Sequence, residues 1–343
     1  MRNEDRCRIS GYRYEKMLKI KDLGEFGFIN RLNPKETVTG LKLGIGDDAA
    51  VISPPEGFDL VITTDMLMEG KHFLSDTNPY AIGYRSMCAN LSDIAAMGAI
   101  PKFYFISLGI DPERDFDYVE NIYNGLNSLA LQFNTHLAGG DTIKSEKTVL
   151  SITLIGYVEK SMAIKREGKI EAKDLIVYIG PLGYSGAGLE VIKNKIDGFD
   201  EQVEAFLYPY PQVIAGRILL QSKVVRVMMD NSDGLSNCIE NLVIKNGFGA
   251  LLFEKQIFDE RLDAIAEATN KDYLDFVFNG GEDFGLVAVV EKDGFLDLTY
   301  FLERALFDSK VKVIGEVIEG EKIVLKRLND SFLVIEKSGY VQF

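Results

Sequence analysis

Aspartate recurs beside glycine, or at the end of an apolar run, at six places along the sequence. These segments are residues 44–50, 61–65, 90–93, 138–141, 230–234 and 280–283. Asp and Gly occur together in many tight turns, because Gly tolerates positive φ and Asp accepts hydrogen bonds from nearby backbone amides. Each segment taken alone is therefore more typical of a turn or a helix cap than of chemistry, and only their combination points to a site.

Two of the apolar runs end in a carboxylate, one at Asp65 and the other at Asp230. Several acids at the ends of strands could converge on one site, where their mutual repulsion would need cations to offset it. Mg²⁺ commonly combines a few carboxylates with the phosphates of a substrate. The pattern therefore favours a divalent-metal site that handles phosphate groups.

Asp93 lies near the end of a helix that we predict over residues 79–97, with Pro79 in its first turn and Gly98 at its stop. The helix macrodipole disfavours an anion at that end by about 0.3–1 kcal/mol. Asp93 also lies off the apolar stripe of the helix. A role as a metal ligand explains this position better than a role as an exposed surface acid.

Other phosphate-binding signals are weak. The sequence has no G-x-x-x-x-G-K-[ST] loop, which excludes a P-loop enzyme. The glycine-rich residues 180–188 precede a predicted helix and could present backbone amides to phosphate. A purely structural turn is at least as good an explanation of that stretch.

The elements that must position these residues alternate between apolar strand-like runs and amphipathic helical patterns, as in two α+β domains. A polar stretch, residues 159–173, is the candidate junction between them. Predicted helices cover 79–97 and 116–133 and follow Gly183 and Ser236; predicted strands cover 60–64, 103–110, 148–158, 175–179, 224–229, 284–290, 312–318 and 323–328. At 343 residues the chain is long enough for two such domains.

Composition limits the classes of function. The net charge of −14 argues against a nucleic-acid backbone as the main partner, although a metal ion can bridge an acidic pocket to an acidic substrate. Three dispersed cysteines and two histidines make a zinc site or a disulfide framework hard to assemble. No apolar run is long enough to cross a membrane and the first 15 residues lack a signal-peptide core, so we expect a cytoplasmic protein.

In order along the chain, several segments together resemble the thiamine-monophosphate kinase family of the aminoimidazole ribonucleotide synthetase superfamily. They are Gly24-Glu25-Phe26, residues 44–50, Thr64-Asp65, Gly70-Lys71-His72-Phe73, and residues 90–99, 139–142, 230–235 and 280–283. The resemblance runs from about Gly24 to the C-terminal residues 339–343. The segment 90–99 is specific to the superfamily, whereas 24–26 and 70–73 indicate this member of it.

The resemblance implies ATP-dependent phosphorylation of thiamine monophosphate to thiamine diphosphate by a homodimer. It implies an N-terminal extension (1–22), an ATP- and metal-binding domain that dimerises through its sheet (23–160) and a C-terminal α+β domain (161–343). Several Mg²⁺ ions would be held by Asp48, Thr63, Thr64, Asp65, Asp93, Asp141, Asp230 and Asp233. ATP would be contacted by Gly140, Asp141, Arg166 and Ser232, and the thiamine substrate by His72, Glu282 and Tyr340. A phosphate oxygen is already ionised near neutral pH, so in-line transfer needs no catalytic base.

Three positions depart from the family pattern. Gly285 stands where a Glu is usual, Tyr208 replaces the Arg of an Arg-Pro element, and Gln342 stands where a His often precedes the last residue. Two alternatives remain open from the sequence: another ATP-using enzyme of the same superfamily, and a nucleotide-binding regulatory protein without turnover, which Gly285 mildly favours.

Overall fold

The computed structural model describes residues 18–33, 38–43, 45, 49–305 and 311–335. The first half of the chain contains α1 (Ile20–Leu32), β1 (Leu41–Leu43), β2 (Val51–Ile52), β3 (Phe58–Met68), α2 (Pro79–Ala96), β4 (Ile100–Ile110), α3 (Phe116–Ala130), β5 (His136–Lys144) and β6 (Val149–Glu159). The helix α1 begins inside the segment that the sequence predicts as an extension.

The second half has its own sheet and a larger set of helices. They are β7 (Leu175–Ile179), α4 (Tyr184–Asn194), α5 (Asp200–Leu207), α6 (Val213–Ser222), β8 (Val225–Asp230), α7 (Leu235–Leu242), β9 (Gly249–Phe253), α8 (Glu254–Ile257), α9 (Glu260–Thr269), α10 (Tyr273–Phe278), β10 (Leu286–Val290), α11 (Phe295–Ala305), β11 (Val311–Ile318), β12 (Ile323–Lys326) and β13 (Phe332–Ile335). None of the helices in the described ranges is long and apolar enough to span a membrane.

Two mixed sheets organise these elements. The first has the order β3-β6-β4-β5, and the second has the order β13-β12-β9-β11-β7-β10-β8. Every residue of β10, which pairs with β7 on one side and β8 on the other, is buried, as expected for an interior strand of a sheet that is covered on both faces. In the first sheet α2 packs on one face, and the other face leaves apolar side chains exposed. The predicted fold class, α+β with two mixed domains, is confirmed.

Three local predictions need correction. Residues 138–141, predicted as a loop, lie inside β5, and Asp65 lies within β3 and not at its end. The strand predicted over 284–290 begins only at Leu286, because Phe284 has a positive φ of 50° that interrupts extended backbone. The predicted helix over 79–97 is confirmed as α2.

Helices α2 and α3 cross at two glycines. A Cβ at Gly83 would lie 1.9 Å from the carbonyl oxygen of Ile122, and one at Gly125 would lie 2.0 Å from that of Tyr80. The two backbones therefore approach more closely than any larger residue allows, and this contact fixes α2 against the first half of the chain.

We expect Gly83→Ala to destabilise the protein by about 1–3 kcal/mol, because overpacking outweighs the better helix propensity of Ala. Urea unfolding followed by circular dichroism measures the effect. Gly27→Ala in α1 is the matched control, since a Cβ there meets only the Leu23 Cβ at 3.6 Å. A Gly83→Ala protein as stable as wild type would mean that the two helices do not meet at this point.

Candidate active site

Helix α2 runs between the two halves of the chain. Asn78 caps its start by accepting a backbone N–H bond at 3.0 Å, and Gly98, with φ of 65°, lets the chain turn away after its end. The helix packs against β3 on one side and against α5, α6 and β8 on the other. It therefore places Arg85, Ser92 and Asp93 where the two halves meet.

Four carboxylates converge beside α2. They belong to Asp65 in β3, Asp93 in α2, Asp230 at the end of β8 and Asp233 in the loop that follows. Thr63 Oγ1 donates a hydrogen bond to the Asp93 carboxylate, and Ser92 Oγ donates one to Asp230 Oδ2 at 2.9 Å. Five of the eight residues predicted to hold metal, namely these four acids and Thr63, are thus brought together.

Burial and mutual repulsion disturb these acids. Burial raises the pKa of Asp65 to about 6, and the charges of Asp93 and Asp233 add to the effect. Burial also raises the pKa of Asp230 to about 7, again reinforced by Asp93. Carboxylates held this close at neutral pH repel one another, so the cluster favours a bound cation.

The residues present fit Mg²⁺. Asp230 Oδ1 is buried and accepts no hydrogen bond from any residue that the structure describes, which leaves a carboxylate oxygen available to a cation. Within the described ranges no three His, Cys, Asp or Glu side chains are grouped tightly enough to hold one ion between them. Mg²⁺ needs only one or two carboxylates when waters and substrate phosphates complete its octahedron. Asp48, also predicted as a ligand, lies outside the described residues.

Thr64 and Asp141 lie on the other face of the first sheet. Side chains alternate along a strand, so Thr64 points away from Thr63 and Asp65 and accepts a hydrogen bond from Thr153 Oγ1 at 3.3 Å. Asp141 shares this outer face, where it lines a cavity of about 210 Å³ and accepts the backbone N–H of Thr142 at 2.8 Å. The structure does not bring Thr64, Asp141 or the neighbouring Gly140 into the four-acid cluster.

The residues predicted to bind ATP divide in the same way. Arg166 follows the first sheet and lies close to the cluster. Burial raises the pKa of Asp93, Asp230 and Asp233, and the positive charge of Arg166 offsets part of that rise. Ser232 belongs to the loop that carries Asp233, and its carbonyl oxygen accepts the backbone N–H of Glu282 at 2.8 Å. These two residues therefore adjoin the acids, whereas Gly140 lies in β5, three strands away from Asp65 in β3.

His72 and Glu282, predicted to contact the substrate, meet at the N-terminal half of α2. The Glu282 carboxylate pairs with the Arg85 guanidinium, which also donates to the His72 carbonyl oxygen at 3.5 Å. Burial lowers the pKa of His72, so the ring is neutral at pH 7. Its Nδ1 accepts the backbone N–H of Met68 at 3.0 Å, which places the proton on Nε2 as a donor. Tyr340 lies outside the described residues.

Arg85 was missed by the sequence analysis. Its side chain is only 3% exposed, and its guanidinium lies over the Phe206 ring, 4.2 Å from the centroid. One signal was available, since Arg85 is the single basic residue of α2. Its pairing with Glu282 joins residues 197 positions apart and could not be read from local pattern.

The structure decides the role of residues 180–188. Asp283 Oδ2 accepts the backbone N–H of Gly183 at 2.6 Å, and Oδ1 accepts that of Ser185 at 2.9 Å. These amides at the start of α4 are therefore bonded within the protein and not presented to phosphate. Burial raises the pKa of the Asp283 carboxyl to about 7. The structural alternative for this stretch is correct.

Gly285, the departure that favoured a protein without turnover, has a steric explanation. A Cβ at Gly285 would lie 2.3 Å from the Tyr178 hydroxyl oxygen. Tyr178 is held there because its hydroxyl donates to the Pro181 carbonyl at 2.8 Å and accepts from Asn231 Nδ2 at 3.3 Å. The absence of a side chain at 285 therefore follows from packing in this chain and indicates nothing about turnover.

Comparisons with known proteins identify the family of this chain. The family described as AIR synthase related protein matches twice, its N-terminal domain over residues 46–158 and its C-terminal domain over residues 171–327. The thiamine-monophosphate kinase of Bacillus subtilis (strain 168) is 30% identical over 331 residues, which cover 94% of this chain and 100% of that relative.

Solved structures of such proteins share the fold. The crystal structure of thiamine-monophosphate kinase from Stenotrophomonas maltophilia K279a has a TM-score of 0.77 and 27% identity, covering 87% of this chain and 94% of that one. A structure described as AaThiL complexed with AMPPCP and TMP has a TM-score of 0.73 and 28% identity, covering 94% and 98% of the two chains. The chain belongs to the thiamine-monophosphate kinase family of AIR synthase related proteins.

Proposed function

We propose that this protein transfers the γ-phosphate of ATP to thiamine monophosphate, forming thiamine diphosphate and ADP with the help of Mg²⁺. The observation that carries the proposal is the cluster of the buried Asp230 with the half-buried Asp65, Asp93 and Asp233, which lies beside His72 and Glu282. A cation site next to a separate polar pocket suits a reaction between two phosphate-bearing substrates. Relatives named thiamine-monophosphate kinase, and a neighbour bound to AMPPCP and TMP, supply the identity of those substrates.

The reaction needs no covalent intermediate. An oxygen of the substrate phosphate attacks the γ-phosphorus, the bond from that phosphorus to the β,γ-bridging oxygen breaks, and ADP leaves with the electron pair. The acceptor monoester is largely ionised at pH 7, so no residue has to remove a proton. Catalysis by this chain then consists of positioning the two phosphates in line.

Each group of residues has a task in that scheme. Asp65, Asp93, Asp230 and Asp233 would hold the metal, with Asp48 as a further candidate, and bound Mg²⁺ would neutralise the phosphate charge as it develops. Arg166 and Ser232 adjoin the acids and would contact ATP. His72, Glu282 and Tyr340 would contact the thiamine substrate.

Measurement of ADP release with and without thiamine monophosphate tests the proposal. We expect release that depends on thiamine monophosphate and stops when a chelator removes Mg²⁺. ADP release that is unchanged by thiamine monophosphate would contradict it and would favour another enzyme of the superfamily. Location in the cytoplasm stays a prediction.

We further propose a homodimer that forms through the outer face of the first sheet. Exposed apolar side chains there include Ile62 and Met66, each 59% exposed, and Ile143 at 62%. Several exposed apolar side chains on one sheet face are typical of a protein interface. Thr64 and Asp141 lie on the same face, so dimerisation would place them near the second subunit and give them a role apart from the four-acid cluster.

We expect Ile62→Lys to convert a dimer into a monomer, because it would place two unpaired charges in an apolar interface. Light scattering coupled to size-exclusion chromatography measures the mass. Ile192→Lys, at an exposed apolar residue of α4, is the control and should remain dimeric. A monomeric wild type, or a dimeric Ile62→Lys protein, would contradict this interface.

We expect His72→Ala to raise the Michaelis constant for thiamine monophosphate by about 10–100-fold, because a hydrogen bond to a charged acceptor contributes about 1–3 kcal/mol. ATP affinity, measured by titration, should change little. His136→Ala, at the other histidine of the chain, serves as the control. An equal fall in ATP affinity would show that His72 supports the fold and does not contact the substrate.

A further inference from the structure

The site contains a buried cation, Arg85, that the metal and ATP assignments leave without a task. Arg85 has five N–H donors in a rigid planar fork and always carries its charge. It is 3% exposed, so nearly all of this donor capacity has been withdrawn from water. A buried guanidinium is costly unless acceptors satisfy it.

The described residues provide hydrogen-bond acceptors for only some of the N–H groups of the Arg85 guanidinium. One terminal nitrogen pairs with the Glu282 carboxylate, and the other reaches the His72 carbonyl oxygen at a long 3.5 Å. The Nε–H, although buried, finds no acceptor in the ranges that the structure describes. The Phe206 ring covers one face of the group at 4.2 Å and restrains its plane. The fork is therefore held in place with donor capacity to spare, which is the condition for binding an oxyanion.

Electrostatic interactions show that Arg85 lies near the four-acid cluster. Burial raises the pKa of Asp233, and Glu282, which contacts Arg85, lies close enough to add to that rise. Burial raises the pKa of Cys88; the charge of Asp230 adds to this rise and that of Arg85 opposes it, so the guanidinium and the acidic cluster both lie near this part of α2. An anion between them would meet a cation held by the acids on one side and the arginine on the other.

The site has two arginines, Arg166 and Arg85, and the proposed reaction has two phosphate-bearing substrates, so each arginine can be assigned to one substrate. The positive charge of Arg166 lies close to Asp93, Asp230 and Asp233, on the side of the site that is predicted to bind ATP. Arg85 forms an ion pair with Glu282 and lies near His72. Both of these residues are predicted to bind the acceptor substrate. Resting on the function proposed above, we propose that Arg85 binds the phosphate monoester of the acceptor substrate, and that this contact selects the phosphorylated form over the free alcohol.

The contact has a consequence for Glu282. Because one guanidinium nitrogen already pairs with Glu282, the carboxylate fixes the orientation of the fork and leaves Nε–H and the remaining donors to the phosphate. Arg85 is then a substrate-binding residue, whereas Glu282 both orients it and contacts the rest of the acceptor.

Direct binding tests this inference independently of turnover. Dissociation constants for thiamine monophosphate and for thiamine are measured by calorimetry in Mg²⁺ and a non-hydrolysable ATP analogue. For Arg85→Lys, which keeps the charge but loses the fork, we expect thiamine monophosphate to bind about 10–100-fold more weakly and thiamine to change less than about twofold. Glu282→Gln should weaken both ligands.

Arg217→Lys is the matched control, since Arg217 also joins the two halves of the chain, pairing with Glu159 at 2.6 Å and with the Gly98 carbonyl at 2.6 Å, yet lies outside the site. It should bind both ligands as wild type does. Melting temperatures of all variants report folding, and Arg85→Met replaces Arg85→Lys if the latter is unfolded. Equal weakening of thiamine and thiamine monophosphate in the Arg85 variant, or no weakening of either, would overturn the inference.

Binding and turnover measurements distinguish a failure of the proposed role of Arg85 from a failure of the proposed kinase activity. If wild type binds thiamine monophosphate more tightly than thiamine and Arg85→Lys loses that preference, the inference stands even if no ADP forms. If wild type forms ADP in response to thiamine monophosphate but Arg85→Lys keeps the preference, only the inference is wrong.

Discussion

Asp93→Asn is expected to lower turnover by about 10³-fold or more while leaving the protein folded. Removal of one strong electrostatic contributor from an active site commonly costs this much, and loss of a metal ligand acts on every phosphate that the ion would neutralise. Asp93 is suited to such a role because its carboxylate lies among Asp65, Asp230 and Asp233, so its loss weakens cation binding by the whole cluster.

The same substitution should raise the stability of the metal-free protein. The charge of Asp93 raises the pKa of both Asp65 and Asp230, so its removal relieves repulsion in the folded state. Turnover at saturating Mg²⁺ and a melting curve in chelator measure the two effects. Glu120→Gln, at an exposed acid of α3, is the control and should change neither. Near-normal turnover in Asp93→Asn would remove this residue from the metal set.

Without metal, the protein is expected to gain stability as pH falls from about 8 to about 5. Asp65 and Asp230 have folded-state pKa values of about 6 and about 7, against about 3.9 in an unfolded chain. Between pH 4 and 7 the folded state thus binds protons that the unfolded state does not, and stability falls as pH rises through that window. Above about pH 7 the folded state bears the full cost of keeping these carboxylates charged, which comes first from burial and then from their mutual repulsion.

Mg²⁺ with ATP should remove most of this dependence and raise the melting temperature at pH 8 much more than ATP in chelator, because a ligand that binds only the folded state stabilises it. Asp283 will keep part of the pH dependence, since burial raises its pKa to about 7 and it is not one of the four acids assigned to the metal. Asp230→Asn in chelator provides the comparison and should show a shallower pH profile than wild type. Equal stabilisation by ATP with and without Mg²⁺ would argue against a metal-bridged site.

The sequence predicted the elements whose signals are local. Helix α2 was found because its apolar stripe, Pro79 and Gly98 all agree, and Asp230 was placed at the end of a strand because a buried run stops there. Strand β5 was missed because Gly139 and Gly140 are typical of loops. Gly140 is needed because β5 lies close to β4 there: a Cβ on Gly140 would lie 2.2 Å from the Ile106 carbonyl oxygen. Contact with another strand thus overrides local propensity.

The sequence indicated which acidic residues could form the site, but it did not indicate how they are arranged in space. The recurring aspartates indicated a cation site, yet only the strand register shows that Thr63 and Asp65 face α2 while Thr64 and Asp141 face outward. Arg85 shows the limit most clearly, because its role depends on Glu282 and Phe206, which come from distant parts of the chain. Such pairings arise from tertiary packing and leave no periodic signal.

The most direct test of the central claim follows the phosphoryl group itself. The protein is incubated with Mg²⁺, thiamine monophosphate and ATP radiolabelled at the γ-phosphate, and the products are separated by chromatography. We predict that the label appears in thiamine diphosphate in an amount equal to the ADP formed, and that none is transferred when thiamine replaces thiamine monophosphate. Label recovered only as inorganic phosphate, or ADP formed without labelled thiamine diphosphate, would contradict the assignment of this chain as a thiamine-monophosphate kinase.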